Sequence, residues 1–393
     1  MTRPAHRTAA PSGRPRGGFT LVELLVVFVV LSILIALLLP AINGAVKTAK
    51  NTAAQANLKQ FDQALAAFKS KYGDYPPSRV ILWENGYFQT GGTTALAASG
   101  QSDVQSGQLA QRTLQYLRKF FPKVVLSTSG AVWPAGSKQW YDFNGNGVFD
   151  AQPYVLQGHQ CLVFFLGGLP QKTDEGYAMT GFAKSPTNPF TPIVAPSGSP
   201  TFVSQNREVP LFEFAANRLQ DDTVNNVAFP GYLDSLGNTL GSGQVNFIAY
   251  FSSYGNNGYD PNDVNFAAEV DDAGAVVLNK YKVRYPVYTS SGDATTPPNH
   301  AASPSPNPYT STATGAATAV AATALAVNYV NPQTYQLISS GMDGLYGPGG
   351  MFKPNANSGA LPFDANTTTP AASTSLRQRE RDNLTNFHGG TLD

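Results

Sequence analysis

The chain has 393 residues, 26 basic against 25 acidic, a net charge of +1, and only 13% of its residues are charged. Nothing in that balance suggests bulk nucleic-acid binding, which usually shows a basic face or a pI above about 9, while the length allows one domain with insertions, or two lobes. Cys161 is the only cysteine, which excludes an intramolecular disulfide, and its apolar neighbours predict a buried thiol rather than a nucleophile.

The chain opens on a cationic stretch, Met1–Gly18, with Arg3, Arg7, Arg14 and Arg16 and no acid. The 21 residues Phe19–Leu39 follow, strongly apolar and carrying one charge, Glu23. That is enough to cross a bilayer as a helix, with the basic flank on the cytoplasmic side. A carboxylate in such a segment is costly in lipid and marks a functional residue. Pro40 predicts a kink, because it lacks an N–H and crowds the preceding turn. Beyond it Leu58, Phe61, Leu65, Phe68 and Tyr72 recur at helical spacing, one stripe of an amphipathic helix. Gly73 and Tyr75-Pro76-Pro77 predict its stop. A helix of about 50 residues is about 75 Å long.

Gly91–Gly107 reads as a loop, Leu109–Phe121 as a short amphipathic helix with Leu114, Leu117 and Phe121 on one face, and Lys123–Ser127 as a strand. Asp142–Asp150, DFNGNGVFD, places Asp142, Asn144, Asn146 and Asp150 at positions 1, 3, 5 and 9, with Gly147 at 6. Alternating oxygen donors and a glycine at the sharp turn are how calcium loops wrap their ion. Position 12 is Pro153, so this is no EF-hand, and a Gly/Asn-rich turn without metal explains the same residues. His159–Leu166 is apolar, and its period does not separate helix from strand. Ala183–Pro200 reads as a loop; Gly243–Ser252, Ala275–Tyr288 and Thr334–Ser340 read as strands. Thr289–Thr323 and Lys353–Ser375 are low-complexity insertions with little to bury. No phosphate loop, HExxH or GxSxG is present, and the four histidines are scattered, so no enzymatic constellation is visible.

The stretch GFTLVELLVV, from Gly18, resembles the N-terminus of type IV pilins and type II secretion pseudopilins. The resemblance implies cleavage by prepilin peptidase between Gly18 and Phe19, methylation of the new N-terminus, and Glu23 as the fifth mature residue. Without the four arginines the mature chain carries −3. KSKYGDYPPS, from Lys69, resembles the helix end of pseudopilins. YLDSLGNTL, from Tyr232, resembles the turn before a head-domain strand. Two C-terminal segments, YQLISSGMDGLYG (Tyr335–Gly347) and RDNLTNF (Arg381–Phe387), resemble the ending of the major pseudopilin. There the family binds calcium through aspartates and main-chain carbonyls. Asp343 and Asp382 align with that pattern, and Asn383 replaces a second aspartate.

The resemblance implies an α+β fold: a long N-terminal transmembrane and amphipathic helix, with segments 19–39 and 40–72, and a head over 73–393 with a small antiparallel sheet and long insertions. It implies a single-pass inner-membrane protein with a periplasmic head. The expected partners are prepilin peptidase, the assembly platform, lipid, and other pilins or pseudopilins in a periplasmic or surface filament; nucleic acid is not among them. A structural subunit of a secretion pseudopilus is the leading expectation. An adhesive or DNA-uptake pilin, and a membrane-anchored extracytoplasmic enzyme, are its rivals.

Overall fold

A computed structural model describes residues 20–90, 106–174, 176–193, 203–221, 229–236, 246–254, 258–259, 263–264, 269–270, 276–277, 307–311, 328–346, 349–353, 361 and 380–392. Its contacts divide the chain into two compact units, Met1–Lys50 and Asn51–Asp393.

In the first unit lies most of α1 (Leu21–Tyr72), a helix of 52 residues. Its apolar side chains from Leu21 to Leu39 are exposed, and its length and composition suffice to cross a membrane. The helix runs unbroken through Pro40. Pro40 leaves one missing donor there, opposite the Ala36 carbonyl.

The second unit begins inside the same helix, where the composition turns amphipathic. Ala54, Leu58, Phe61, Ala64, Leu65 and Phe68 are buried, the predicted stripe extended by two alanines. Phe61 stacks on Phe212 at 4.1 Å, and Phe68 meets Phe120 and Phe165 edge-on at 5.1 and 5.8 Å. Gly73 donates its N–H to the Lys69 carbonyl and ends the helix.

Strand β1 (Val80–Leu82) leads to α2 (Ser106–Phe120). On α2 it is Phe120, with Leu109, Leu114 and Leu117, that faces the core. Phe121, expected there, lies just past the helix and packs on Phe182 and Phe190. Lys123–Ser127 is not a strand: Val124 and Leu126 are buried, but pairing is limited to one bridge between Ser127 and Tyr87. Strand β2 (Tyr154–Leu156) pairs antiparallel with β1. The ambiguous apolar run is α3 (Gly158–Gly167), buried throughout. Cys161 is fully buried on it, and burial pushes its thiol well above the usual range.

Two hairpin-like pairs follow, β3 (Pro170–Thr173) with β4 (Gly176–Met179), and β5 (Leu219–Asp221) with β6 (Pro230–Tyr232). The segment 183–193 is irregular as expected, yet Ala183, Phe190 and Thr191 are buried. β7 (Ala249–Ser252) falls within the predicted Gly243–Ser252 strand, and β8 (Glu269–Val270) pairs with β9 (Val276–Val277). Most of the predicted Ala275–Tyr288 strand lies outside the described residues.

The central sheet has the order β13–β11–β7, with β11 (Tyr335–Ser339) in the middle and β13 (Leu384–Thr385) at one edge; both pairings are antiparallel. Alternation sorts its side chains into two cores. Ile248, Tyr250, Tyr335 and Leu337 join α1 and α3, whereas Phe247, Ala249, Phe251 and Ile338 join a second cluster with Tyr309, Tyr346 and Phe352. A sheet covered on both faces explains the unbroken apolar run VNFIAYF.

That second cluster corrects the reading of Thr289–Thr323 as surface throughout. β10 (Tyr309–Thr310) lies inside it, pairs in parallel with β12 (Gly350–Met351), and is buried. Gln336 on β11 holds it from both sides: its Oε1 accepts from the Tyr309 N–H at 2.7 Å, and its Nε2 donates to the Tyr309 carbonyl at 2.9 Å. Apart from 307–311, this segment lies outside the described residues.

Candidate functional site

Three groups of predicted residues can be placed, taken in chain order. Gly18 and Phe19 lie outside the described residues. Glu23 stands in the first turn of α1, where it closes a reciprocal cap. The Thr20 N–H and hydroxyl donate to Glu23 Oε2 at 2.8 and 2.9 Å, and the Glu23 N–H donates to Thr20 Oγ1 at 3.2 Å. Helices begin with unsatisfied N–H groups, and this arrangement satisfies two of them. The sequence reading missed Thr20, although the T-x-x-E spacing before an apolar run is the signal for it.

The loop Asp142–Asp150 lies between the two strands of the β1–β2 pair. Asp142 is fully buried. Its Oδ1 accepts from the Asn146 N–H at 3.1 Å and its Oδ2 from the Gly147 N–H at 2.8 Å. Gly147 has φ +70° as its place at the sharp turn requires, and Gly145 has φ +66° with the Pro170 carbonyl where a Cβ would stand. The Asn144 and Asn146 amides donate to Asp150 Oδ2 at 3.2 and 3.1 Å. Tyr154 also donates its hydroxyl to Asp150.

Into this loop reaches a residue that the sequence did not point to. Glu84, just past β1, is fully buried, and its Oε2 accepts from the Asp150 N–H at 2.6 Å. Burial, with Asp142 and Asp150 nearby, pushes its carboxyl up to about 10 against the pull of the Asp150 N–H. Burial likewise pushes Asp142 up to about 7. No local motif announces Glu84: it stands between the apolar run Val80–Trp83 and the turn at Asn85-Gly86, and the β1–β2 register carries it to the loop.

At the C-terminus the structure brings Asp343 and Asp382 together. Asp382 Oδ2 accepts from the Met342 and Asp343 N–H groups at 2.7 and 3.0 Å, and Asp343 Oδ1 accepts from the Leu345 N–H at 2.7 Å. Asn383 is fully buried, and its amide donates to the Tyr346 carbonyl and the Tyr309 hydroxyl at 2.9 and 3.2 Å. With Asp382 Oδ2 and Asp343 Oδ1 committed to main-chain donors, the pair braces the turn after β11. A second brace comes from Asp234, fully buried in the YLDSLGNTL segment, which accepts from the Leu236 and Ser340 N–H groups at 3.0 Å each. Among the described residues no three His, Cys, Asp or Glu side chains stand in a preformed metal cage.

The family model for the prokaryotic N-terminal methylation motif matches residues 13–39. The match spans the end of the basic stretch and the apolar segment through Leu39. No curated protein and no solved structure matches the chain.

Proposed function

With a prepilin-type N-terminal methylation motif running into a long apolar helix, the chain fits the type IV pilin and pseudopilin family, and we propose that it is a structural subunit of a type II secretion pseudopilus. The motif carries with it processing by prepilin peptidase and assembly with other pilins. One apolar helix fits a single-pass inner-membrane anchor. The assignment to secretion rests on the likeness of the Tyr335–Gly347 and Arg381–Phe387 segments to the major pseudopilin. In this reading the mechanism is mechanical. Phe19–Leu39 holds the precursor in the bilayer with its head in the periplasm, then becomes the apolar core of a helical fibre. Open filaments arise from such head-to-tail contacts. Glu23 pairs with the cationic N-terminus of a neighbouring subunit, so that neither charge is buried alone.

The observation that carries the proposal is the motif, with Gly18 at the cut and Glu23 five residues into the mature chain. Mass spectrometry of membrane-extracted protein tests it. Phe19 is expected as a methylated N-terminus, and Gly18→Val is expected to retain the leader, because a branched side chain obstructs the peptidase at the backbone. An intact leader in cells with active prepilin peptidase would overturn the reading. Loss of secreted enzymes, with unchanged adhesion and DNA uptake, is expected on deletion; the converse would overturn the assignment to secretion.

A further inference from the structure

From the Asp142–Asp150 loop and the Glu84 carboxylate aimed into it, we infer a calcium site built from two distant segments of the head.

The loop alone would not carry this. Its Asx turns and glycine geometry are equally those of a metal-free turn. The independent observation is Glu84. Its side chain is fully buried, one oxygen meets the Asp150 N–H at 2.6 Å, and the other, Oε1, is buried without a hydrogen-bond partner. An orphaned buried carboxylate oxygen costs free energy unless a cation or donor meets it. Asp142 is also fully buried, and Asp150 is half-buried. Three carboxylates thus share one region, and none of them forms an ion pair with Lys or Arg among the described residues.

The donor chemistry selects the ion. Every side-chain donor here is oxygen: the carboxylates of Glu84, Asp142 and Asp150 and the amide oxygens of Asn144 and Asn146. The two amide oxygens each accept one main-chain N–H, from Asn146 at 3.1 Å and Val148 at 2.7 Å, and each retains a second lone pair. Hard oxygen donors, six to eight in flexible geometry, are what calcium takes, with water and main-chain carbonyls filling the shell; magnesium demands a smaller octahedron. Asn146 is exposed, which leaves the loop open to solvent on one side. Glu84 supplies the carboxylate that Pro153, at position 12, does not. Main-chain donors position the Glu84 and Asp142 carboxylates and side-chain donors position that of Asp150, and the ion would draw the three together, tying the end of β1 to the loop before β2.

The test uses the full chain purified in detergent. Terbium, a luminescent calcium substitute, is excited through nearby aromatic rings; Tyr154, bonded to Asp150, is the antenna. Wild type is expected to give a sensitised signal that calcium displaces, and to melt several degrees higher in millimolar calcium than in chelator. Magnesium at the same concentration is expected to do neither. Glu84→Gln keeps an acceptor for the Asp150 N–H, and Asp142→Asn keeps one of the two acceptors that Asp142 gives the loop. Each is expected to fold in chelator, to weaken terbium binding at least tenfold, and to abolish the calcium shift. Asp343→Asn is expected to change none of these. No terbium signal and no calcium shift in wild type would overturn the inference. So would a shift that survives in Glu84→Gln and Asp142→Asn, or one that disappears in Asp343→Asn.

Discussion

The Tyr335 hydroxyl, on the central strand β11, donates to Asp62 Oδ1 on helix α1 at 2.9 Å. This bond joins the first and last thirds of the chain inside the second unit, and it sits beside the aromatic core. Burial raises the Asp62 carboxyl above its ordinary value, against the pull of Tyr335 and Asn386. A carboxyl raised in the folded state contributes stability below its ordinary range and loses it as pH rises through the raised value. Asp62→Asn keeps an acceptor and removes the titration. The melting temperature of wild type relative to Asp62→Asn is therefore expected to fall as pH rises above the ordinary aspartate value of about 4. A constant difference above that value would contradict this.

Phe61 carries a large share of the helix-to-head packing. It is fully buried, stacked on Phe212, and edge-on to Tyr232 at 5.8 Å. Phe61→Ala is expected to cost about 3–5 kcal/mol, read as a lowered denaturation midpoint of the full chain in detergent. A loss below about 1 kcal/mol would show that the site collapses around the smaller side chain.

Glu23 closes a cap with Thr20 and is proposed to pair with a neighbour's N-terminus, and one pair of variants separates the two. Glu23→Gln retains an acceptor for Thr20 but has no charge; Glu23→Ala has neither. Both are expected to be processed and inserted, since removing a charge favours an apolar span. If charge pairing sets the register of the fibre, both lose incorporation, which crosslinking followed by gel analysis reads. Normal incorporation of Glu23→Gln would leave the cap as the whole role.

The Thr289–Thr323 stretch is expected to respond in parts. Deleting 289–306 alone is expected to leave the melting temperature within a few degrees, because closure entropy varies slowly with loop length. Deleting 307–311 as well is expected to lower it much further, since Tyr309 fills the second core and Gln336 loses both of its partners there. Equal behaviour of the two deletions would overturn the assignment of Tyr309 to the core.

Much of this fold was legible where a periodic pattern coincided with one environment. The stripe Leu58–Phe68 reads as a helix face because one side meets the head, and Thr334–Ser340 reads as a strand because its apolar run is short and bounded. The reading faltered where composition and burial part company. Tyr309 is a lone aromatic among Pro, Ser, Thr and Asn, and local composition cannot reveal that a strand thirty residues later holds it. Val124 and Leu126 alternate like a strand yet have no partner along most of their length. At the candidate sites, Asp142, Asn144, Asn146 and Gly147 announced a turn by spacing alone. Glu84 was silent, because its meaning depends on the β1–β2 register. Asp343 and Asp382, which the likeness of the C-terminal segments implied as calcium ligands, form a hydrogen-bonded brace.

The edge strand β13 gives the molecule a timetable. Leu384 and Leu392 are buried and Asn383 ties Tyr346 to Tyr309, while the Gln55 amide on α1 meets the main chain at Gly389 and Gly390. The first and last segments of the head thus share one core, and neither can bury its apolar face until both have been made. If the head is exported as proposed, Leu392 must follow it across before the second core can close. A chain cut short of Leu384 would keep its sheet edge open, a ready substrate for proteases.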